Sequence, residues 1–125
     1  MHQPVLYLIA APIGNLSEIS KRALDVIREM DIIAAEDTRN TRSLLQNFGI
    51  KKELFSLREH NEVHASMALI NFIREGKKVA YMSDAGYPGI SDPGSKLVAK
   101  AIENNINVST VSGSSAFLNA LVASG

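Results

Sequence analysis

Apolar residues come in short unbroken blocks, separated by longer stretches in which they recur every three or four positions. Val5 to Ala10 is an apolar run of strand length, broken off by Pro12 and Gly14. From Ser17 to Met30 the pattern turns helical: Ala23, Ile27 and Met30 fall on one face, with Leu24 beside them. Ile32-Ile33-Ala34-Ala35, after Asp31, reads as a second strand. Thr38 to Phe48 predicts a helix, with Gly49 as its C-terminal stop. Leu54 to Leu57 is a weak third strand. Val63 to Glu75 predicts a helix with Leu69, Phe72 and Ile73 in its stripe, ended by Gly76. Val79 to Met82 is a strand. Asp92-Pro93 opens the next helix, an aspartate cap followed by proline in the first turn. Leu97, Val98, Ala101 and Ile102 form its expected buried stripe. Val108 to Val111 is a last strand, and Ser114 or Ser115 caps a final helix.

Repeated strand–helix alternation implies parallel strands joined by helical crossovers. Such sheets are covered on both faces, which suits strands that are apolar throughout rather than at alternate positions. The expected fold is α/β, a mostly parallel five-stranded sheet with helices on both faces. The pattern holds no internal repeat, low-complexity segment or linker. The final helix runs to Gly125 without a polar tail, which reads as one domain of something longer.

Composition narrows the chemistry. In 125 residues, Lys and Arg number 13 and Asp and Glu 13, so the chain is formally neutral. Bulk positive charge is not its route to nucleic acid, although a local basic patch remains open. There is no cysteine, which excludes disulfides, thiol nucleophiles and iron–sulfur sites. With three histidines (His2, His60 and His64), no protein-built metal site is expected. No apolar run approaches the ~20 residues of a membrane helix. The N-terminus lacks the basic-then-apolar order of a signal peptide. The expectation is a cytoplasmic protein with no membrane contact.

In an open parallel sheet, ligands bind beyond the carboxyl ends of the strands. Four segments fall there: Ala11 to Leu16, Glu36 to Thr41, Ser83 to Gly94, and Ser112 to Ser115. All are rich in Gly, Pro, Ser or Asp. No G-x-G-x-x-G follows the first strand. Gly89 to Gly94 has the glycine spacing of a phosphate-binding loop, but Ser95 stands where lysine should and Lys96 comes one place late. Asp92 would also repel a phosphate. Carboxylates accept hydrogen bonds from ribose hydroxyls and favour nearby positive charge, and small residues admit a ligand to the backbone. A ligand with a ribose, an adenine, an amino group and a sulfonium matches; S-adenosylmethionine has all four.

Four ordered segments carry a resemblance. They are Leu6-Tyr7-Leu8-Ile9-Ala10-Ala11-Pro12-Ile13-Gly14-Asn15-Leu16, Ala35-Glu36-Asp37-Thr38-Arg39, His60-Asn61-Glu62, and Ser83-Asp84-Ala85-Gly86-Tyr87-Pro88-Gly89-Ile90-Ser91-Asp92-Pro93-Gly94. Together they resemble the tetrapyrrole methylase superfamily, and within it the bacterial branch that methylates a cytidine 2′-oxygen of small-subunit (16S) ribosomal RNA. The resemblance covers essentially the whole chain. It implies an S-adenosylmethionine-dependent methyltransferase with two α/β domains and the donor in the cleft between them. By that resemblance residues 1–125 are expected to be the N-terminal domain, with the C-terminal methylase domain absent from this chain and the isolated domain inactive. Superfamily members pair as homodimers. One departure is visible: Ser112 stands where the family usually has the proline of a Pro-Gly turn.

On the donor side the resemblance points to Asp84, Gly86, Pro88, Ser91, Asp92, Gly113 and Ser114. Asp92 has a plainer role as a helix cap, and Asp84 as a turn former. Gly86, Pro88 and Gly89 shape the loop. On the acceptor side it points to Pro12, Gly14, Asn15, Arg39 and Asn61, the last equally a helix cap. Arg39 and Arg42, three apart, share a helix face and could meet RNA phosphate or simply solvent. Lys51, Lys52 and Arg58 add positive charge nearby in sequence. Methyl transfer requires in-line placement and removal of the 2′-hydroxyl proton. Glu36, Asp37, His60 and Glu62 are the catalytic candidates for that proton, and no metal is required. The alternatives are methylation of a small molecule such as a tetrapyrrole, and a non-catalytic interaction or dimerisation module.

Overall fold

The computed structural model describes residues 4–10, 19–83 and 92–112. Five strands and four helices alternate: β1 Val5–Ala10, α1 Lys21–Glu29, β2 Ile32–Ala35, α2 Thr38–Asn47, β3 Glu53–Ser56, α3 Glu62–Arg74, β4 Val79–Ser83, α4 Asp92–Glu103 and β5 Asn107–Ser112. The strands form one sheet in the order β3-β2-β4-β1-β5, and every pairing is parallel. The expected α/β class and five parallel strands are therefore present. The final helix expected from Ser114 or Ser115 lies outside the described residues.

The order of strands dictates the layers. From β1 the chain steps outward to β2 and β3, then reverses through β4 to β5. Right-handed crossovers put the helices of the outward run on one face and those of the return run on the other. The two cores agree. Leu6, Leu8, Ile32, Ala34, Val79 and Tyr81 pack with Leu69, Ile70 and Ile73 of α3 and Leu97 and Ala101 of α4. Their strand neighbours Ile9, Ile33, Ala80 and Met82 face the other way, against Ala23 and Ile27 of α1 and Leu44 and Leu45 of α2. With both faces covered, β2 is buried at all four positions and β4 at its first four, which explains their unbroken apolar sequence.

Several boundaries differ from the sequence reading. The first helix starts at Lys21 rather than Ser17, because Ser20 is extended and its hydroxyl accepts the Ala23 N–H at 3.1 Å, a side-chain N-cap. α3 begins at Glu62, one residue early, and α4 takes Asp92 as its own first residue. Leu57 falls just past β3, though its N–H still reaches Ala35 O at 3.0 Å. Ile102, expected in the buried stripe of α4, is 63% exposed. It lies one residue past Ala101, and ~100° of helical rotation carries it off the buried face.

Three helices end in the same way. In each, the residue after the cap is left-handed: Gly49 (φ 68°), Gly76 (φ 95°) and Asn105 (φ 60°). The pairs of closing bonds match the Schellman pattern: Gly49 N to Gln46 O and Ile50 N to Leu45 O, Gly76 N to Ile73 O and Lys77 N to Phe72 O, Asn105 N to Ile102 O and Ile106 N to Ala101 O. A Cβ at Gly76 would meet nothing within 4 Å, so conformation alone decides the cost of a side chain there. Gly76→Ala should lower stability by about 1–2 kcal/mol, while Asn105→Gly should be neutral or slightly stabilising. Urea unfolding of the two variants checks both.

Candidate functional site

The strand register brings the carboxyl ends together. Ala10 at the end of β1 pairs with Ser83 of β4 on one side and Ser112 of β5 on the other. Ala35 at the end of β2 pairs with Met82 and Ser56. The helix after β1 goes to one face and the helix after β4 to the opposite face, so the chain parts above this strand pair. That is a topological switch point, where open α/β sheets admit ligands. The expected site residues Pro12, Gly14, Asn15, Asp84, Gly86, Pro88, Ser91, Gly113 and Ser114, and the side chain of Asp92, lie outside the described residues. The strand ends from which their segments depart are neighbours on one rim.

The β2 end of the rim is described in full. Asp37 is the N-cap of α2, its Oδ1 accepting the Arg39 N–H at 3.0 Å and the Asn40 N–H at 3.3 Å. Buried Thr41 anchors the same turn, its hydroxyl donating to Asp37 O at 3.1 Å. The carboxylate of Asp37 is thus engaged by the helix it starts, while Glu36, Arg39 and Arg42 are exposed around it.

The turn from β3 to α3 leans on this corner. Arg58 Nε donates to Glu36 O at 3.0 Å. Asn61 sits at the N-cap position of α3, but its side chain makes no capping bond. Instead its Oδ1 accepts the Arg58 N–H at 2.6 Å and its Nδ2 donates to Ser56 O at 3.1 Å. The amide braces the turn rather than the helix, a correction to its expected alternative as a cap. His60 is exposed in the same turn. The basic residues grouped by sequence separate here. Lys51 and Lys52 precede β3, at the opposite end of the sheet from Arg58, and Lys52 Nζ donates to Arg28 O at 2.6 Å.

Glu62 has a different setting. It is 9% exposed and ion-paired through Oε1 with Lys96 in the first turns of α4. Its Oε2 is buried without a hydrogen-bond partner, as is Ser66 Oγ one helical turn along α3. Glu62 therefore ties two helix starts together on the α3–α4 face of the sheet. Sequence reasoning missed Lys96, which had drawn notice only as a misplaced phosphate-loop lysine. Its partner is 34 residues away, and only the packing of α3 beside α4 reveals it. Among the described residues no group of three or more His, Cys, Asp or Glu could hold a metal ion. No helix among them is long and apolar enough to cross a membrane.

Comparison with known proteins agrees with this architecture. The family model for Tetrapyrrole (Corrin/Porphyrin) Methylases matches residues 5–125. The chain belongs to the tetrapyrrole methylase family. Among curated relatives it is 46% identical over 121 residues to the ribosomal RNA small subunit methyltransferase I of Haemophilus influenzae, covering 97% of this chain and 43% of that protein. It is 48% identical over 120 residues to the protein of the same name from Halalkalibacterium halodurans, covering 96% and 42%. The chain thus spans less than half the length of these relatives. Solved structures share the fold at low identity. Uroporphyrin-III-C-methyltransferase from Thermus thermophilus superposes with TM-score 0.67 at 21% identity, over 91% of this chain and 50% of that one. A diphthine synthase gives TM-score 0.67 at 20% identity, over 89% and 45%.

The Glu62–Lys96 pair invites a double-mutant cycle. Lys96→Met should cost about 1–3 kcal/mol, because it leaves a buried carboxylate without its counter-charge. Adding Glu62→Leu to that variant should recover much of the loss. Urea unfolding of the singles and the double measures the coupling. Asp37→Ala should cost about 1 kcal/mol through loss of the α2 cap.

Proposed function

We propose that this chain is the amino-terminal domain of an S-adenosylmethionine-dependent methyltransferase that modifies a cytidine ribose 2′-oxygen in small-subunit ribosomal RNA. The observation that carries the reading is 46–48% identity along nearly the whole chain to relatives named ribosomal RNA small subunit methyltransferase I. Their greater length supports a second domain completing the active form, with this chain inactive alone. Action on ribosomal subunits implies the cytoplasm, and the homodimer is carried over from the family resemblance.

The sheet suits the donor. Ala10, Ser83 and Ser112 end three adjacent strands under the switch point, and residues this small would let a ligand approach the backbone. Asp84, Gly86, Pro88, Ser91, Asp92, Gly113 and Ser114 would hold the donor there. When bound, that group supplies an electrophilic methyl already attached to a good leaving group. The protein's share is then to orient the acceptor oxygen and receive its proton. Pro12, Gly14, Asn15, Arg39 and Asn61 would border the acceptor. Of the proton acceptors, Asp37 is engaged as a cap and Glu62 is buried against Lys96. This favours Glu36 and His60, both exposed at the rim.

A two-domain form, made by joining this chain to the C-terminal part of one of its relatives, should transfer labelled methyl from the donor to isolated small ribosomal subunits. The label should reside on a ribose 2′-oxygen, making the adjacent phosphodiester resistant to alkali. Label on a base would overturn the 2′-oxygen assignment. Transfer to a tetrapyrrole but not to RNA would overturn the substrate. Either Glu36→Gln or His60→Gln should lower kcat by about 10²-fold or more, the range for loss of a general base.

A further inference from the structure

Arg58 stands apart from the other basic side chains. Its backbone N–H is held by Asn61 Oδ1 at 2.6 Å, and its Nε donates to Glu36 O at 3.0 Å. Asn61 is fixed in turn on Ser56 O. The guanidinium is therefore anchored at Nε across the tops of β2 and β3. No ion pair engages it among the described residues, although exposed Glu36 and Glu59 adjoin it. An arginine held at Nε presents its two terminal nitrogens as a fork, the geometry that takes a phosphate through two parallel hydrogen bonds. Arg39 and Arg42 project into solvent from the first turns of α2, which starts just after Glu36, so one corner of the rim carries three guanidinium groups. Glu36, Asp37 and Glu59 share the corner, so Arg58 acts there through the fixed direction of its donors rather than through an excess of positive charge.

From this bracing we infer that Arg58 is a preoriented phosphate ligand for the RNA backbone, with Asn61 as its positioning residue. Arg39 and Arg42 extend the track along α2. The inference rests on the RNA reading above and adds to it the place where the strand enters. Because phosphate contacts fix register without reading bases, this corner aligns the RNA over the rim and leaves the choice of nucleotide to the loops beyond β1 and β4.

The test measures binding of a labelled single-stranded RNA to the two-domain form by fluorescence anisotropy, across a series of salt concentrations. Wild type should bind, with log Kd linear in log salt. Arg58→Gln should weaken binding about tenfold at low salt and flatten the salt slope by about 0.7, the contribution of one phosphate contact in a single strand. Arg58→Lys should keep the slope, since the charge remains, yet lose affinity with the fork and the Nε anchor. Asn61→Ala should lower affinity with the slope unchanged. Arg28→Gln removes the same charge from the far end of the sheet and should leave both quantities at wild-type values. A slope in Arg58→Gln equal to wild type, or one that Arg28→Gln reproduces, would overturn the inference while leaving the RNA reading intact. An Arg58→Lys variant indistinguishable from wild type would overturn the preorientation. Absence of RNA binding by wild type would overturn the RNA reading and the inference together. Thermal unfolding of each variant, expected to stay cooperative though at a somewhat lower temperature where a turn hydrogen bond is lost, and donor titration, expected to match wild type, separate these outcomes from loss of fold; should Arg58→Gln fail to fold, Arg58→Lys and Asn61→Ala decide.

Discussion

The structure turns on the position of β1 between β4 and β5. A strand hydrogen-bonded on both sides and covered by helices on both faces has little route to water for its backbone, and Leu6, Leu8 and Ile9 are buried. Leu6 and Ile9 are at most 1% exposed, on opposite faces of the sheet. The ladder on either side of β1 sets the register of β4 and β5 against it. Ala10 is paired with Ser83 on one side and Ser112 on the other. Because strands are joined by crossovers in one hand, the helices leaving β1 and β4 separate to opposite faces. A rim with a parting in it is therefore a consequence of how the interior is paired. The strand ends from which the candidate ligand-binding segments depart are set by packing far below them.

Much of this architecture is written locally. Ile32-Ile33-Ala34-Ala35 reads as a buried strand because a parallel interior tolerates no alternation, and the structure places these residues as expected. Gly49 and Gly76 mark helix ends because few other residues accept their backbone angles. Where the reading slipped, a second local signal competed. The helical pattern reads from Ser17, whereas the N-cap is Ser20, whose hydroxyl accepts the Ala23 N–H. Ile102 continues an apolar run, yet rotation about the helix turns it outward. Asn61 precedes a helix as caps do, but Arg58 N–H and Ser56 O together offer its amide both a donor and an acceptor, which the helix start does not.

What was not legible is what the tertiary fold joins. Glu62 and Lys96 lie 34 residues apart, on helices whose adjacency follows from strand order rather than from any pattern within either. Arg58 and Glu36 are 22 residues apart and meet only because β2 and β3 pair in register. Lys51, Lys52 and Arg58 look like one basic cluster in the chain. Four residues of β3 separate them by about 13 Å, at the usual rise of a strand. The candidate site is similarly divided. The resemblance nominates residues by segment, whereas the structure sorts the described ones by occupation: Asp37 to a helix, Glu62 to a lysine, Asn61 to an arginine, and Glu36 and His60 to solvent.

The edge strand β3 connects these points. It ends the sheet on the side of the guanidinium corner, and its outer edge presents backbone groups that another strand could pair with. It is four residues long, with lysines just before it and Arg58 soon after. An antiparallel copy of itself, centred on Leu54 and Phe55, would set Arg58 near the partner copy's basic residues before β3, and like charges facing across a sheet edge oppose pairing. On the proposed RNA reading, the guanidinium groups that discourage strand addition are also the ones that would meet a phosphate backbone. An anchored arginine serves both ends because its position is set by Glu36 and Asn61 rather than by whatever approaches. On the proposed RNA reading, one electrostatic argument would both oppose a second β3 strand and favour a phosphate backbone at this corner.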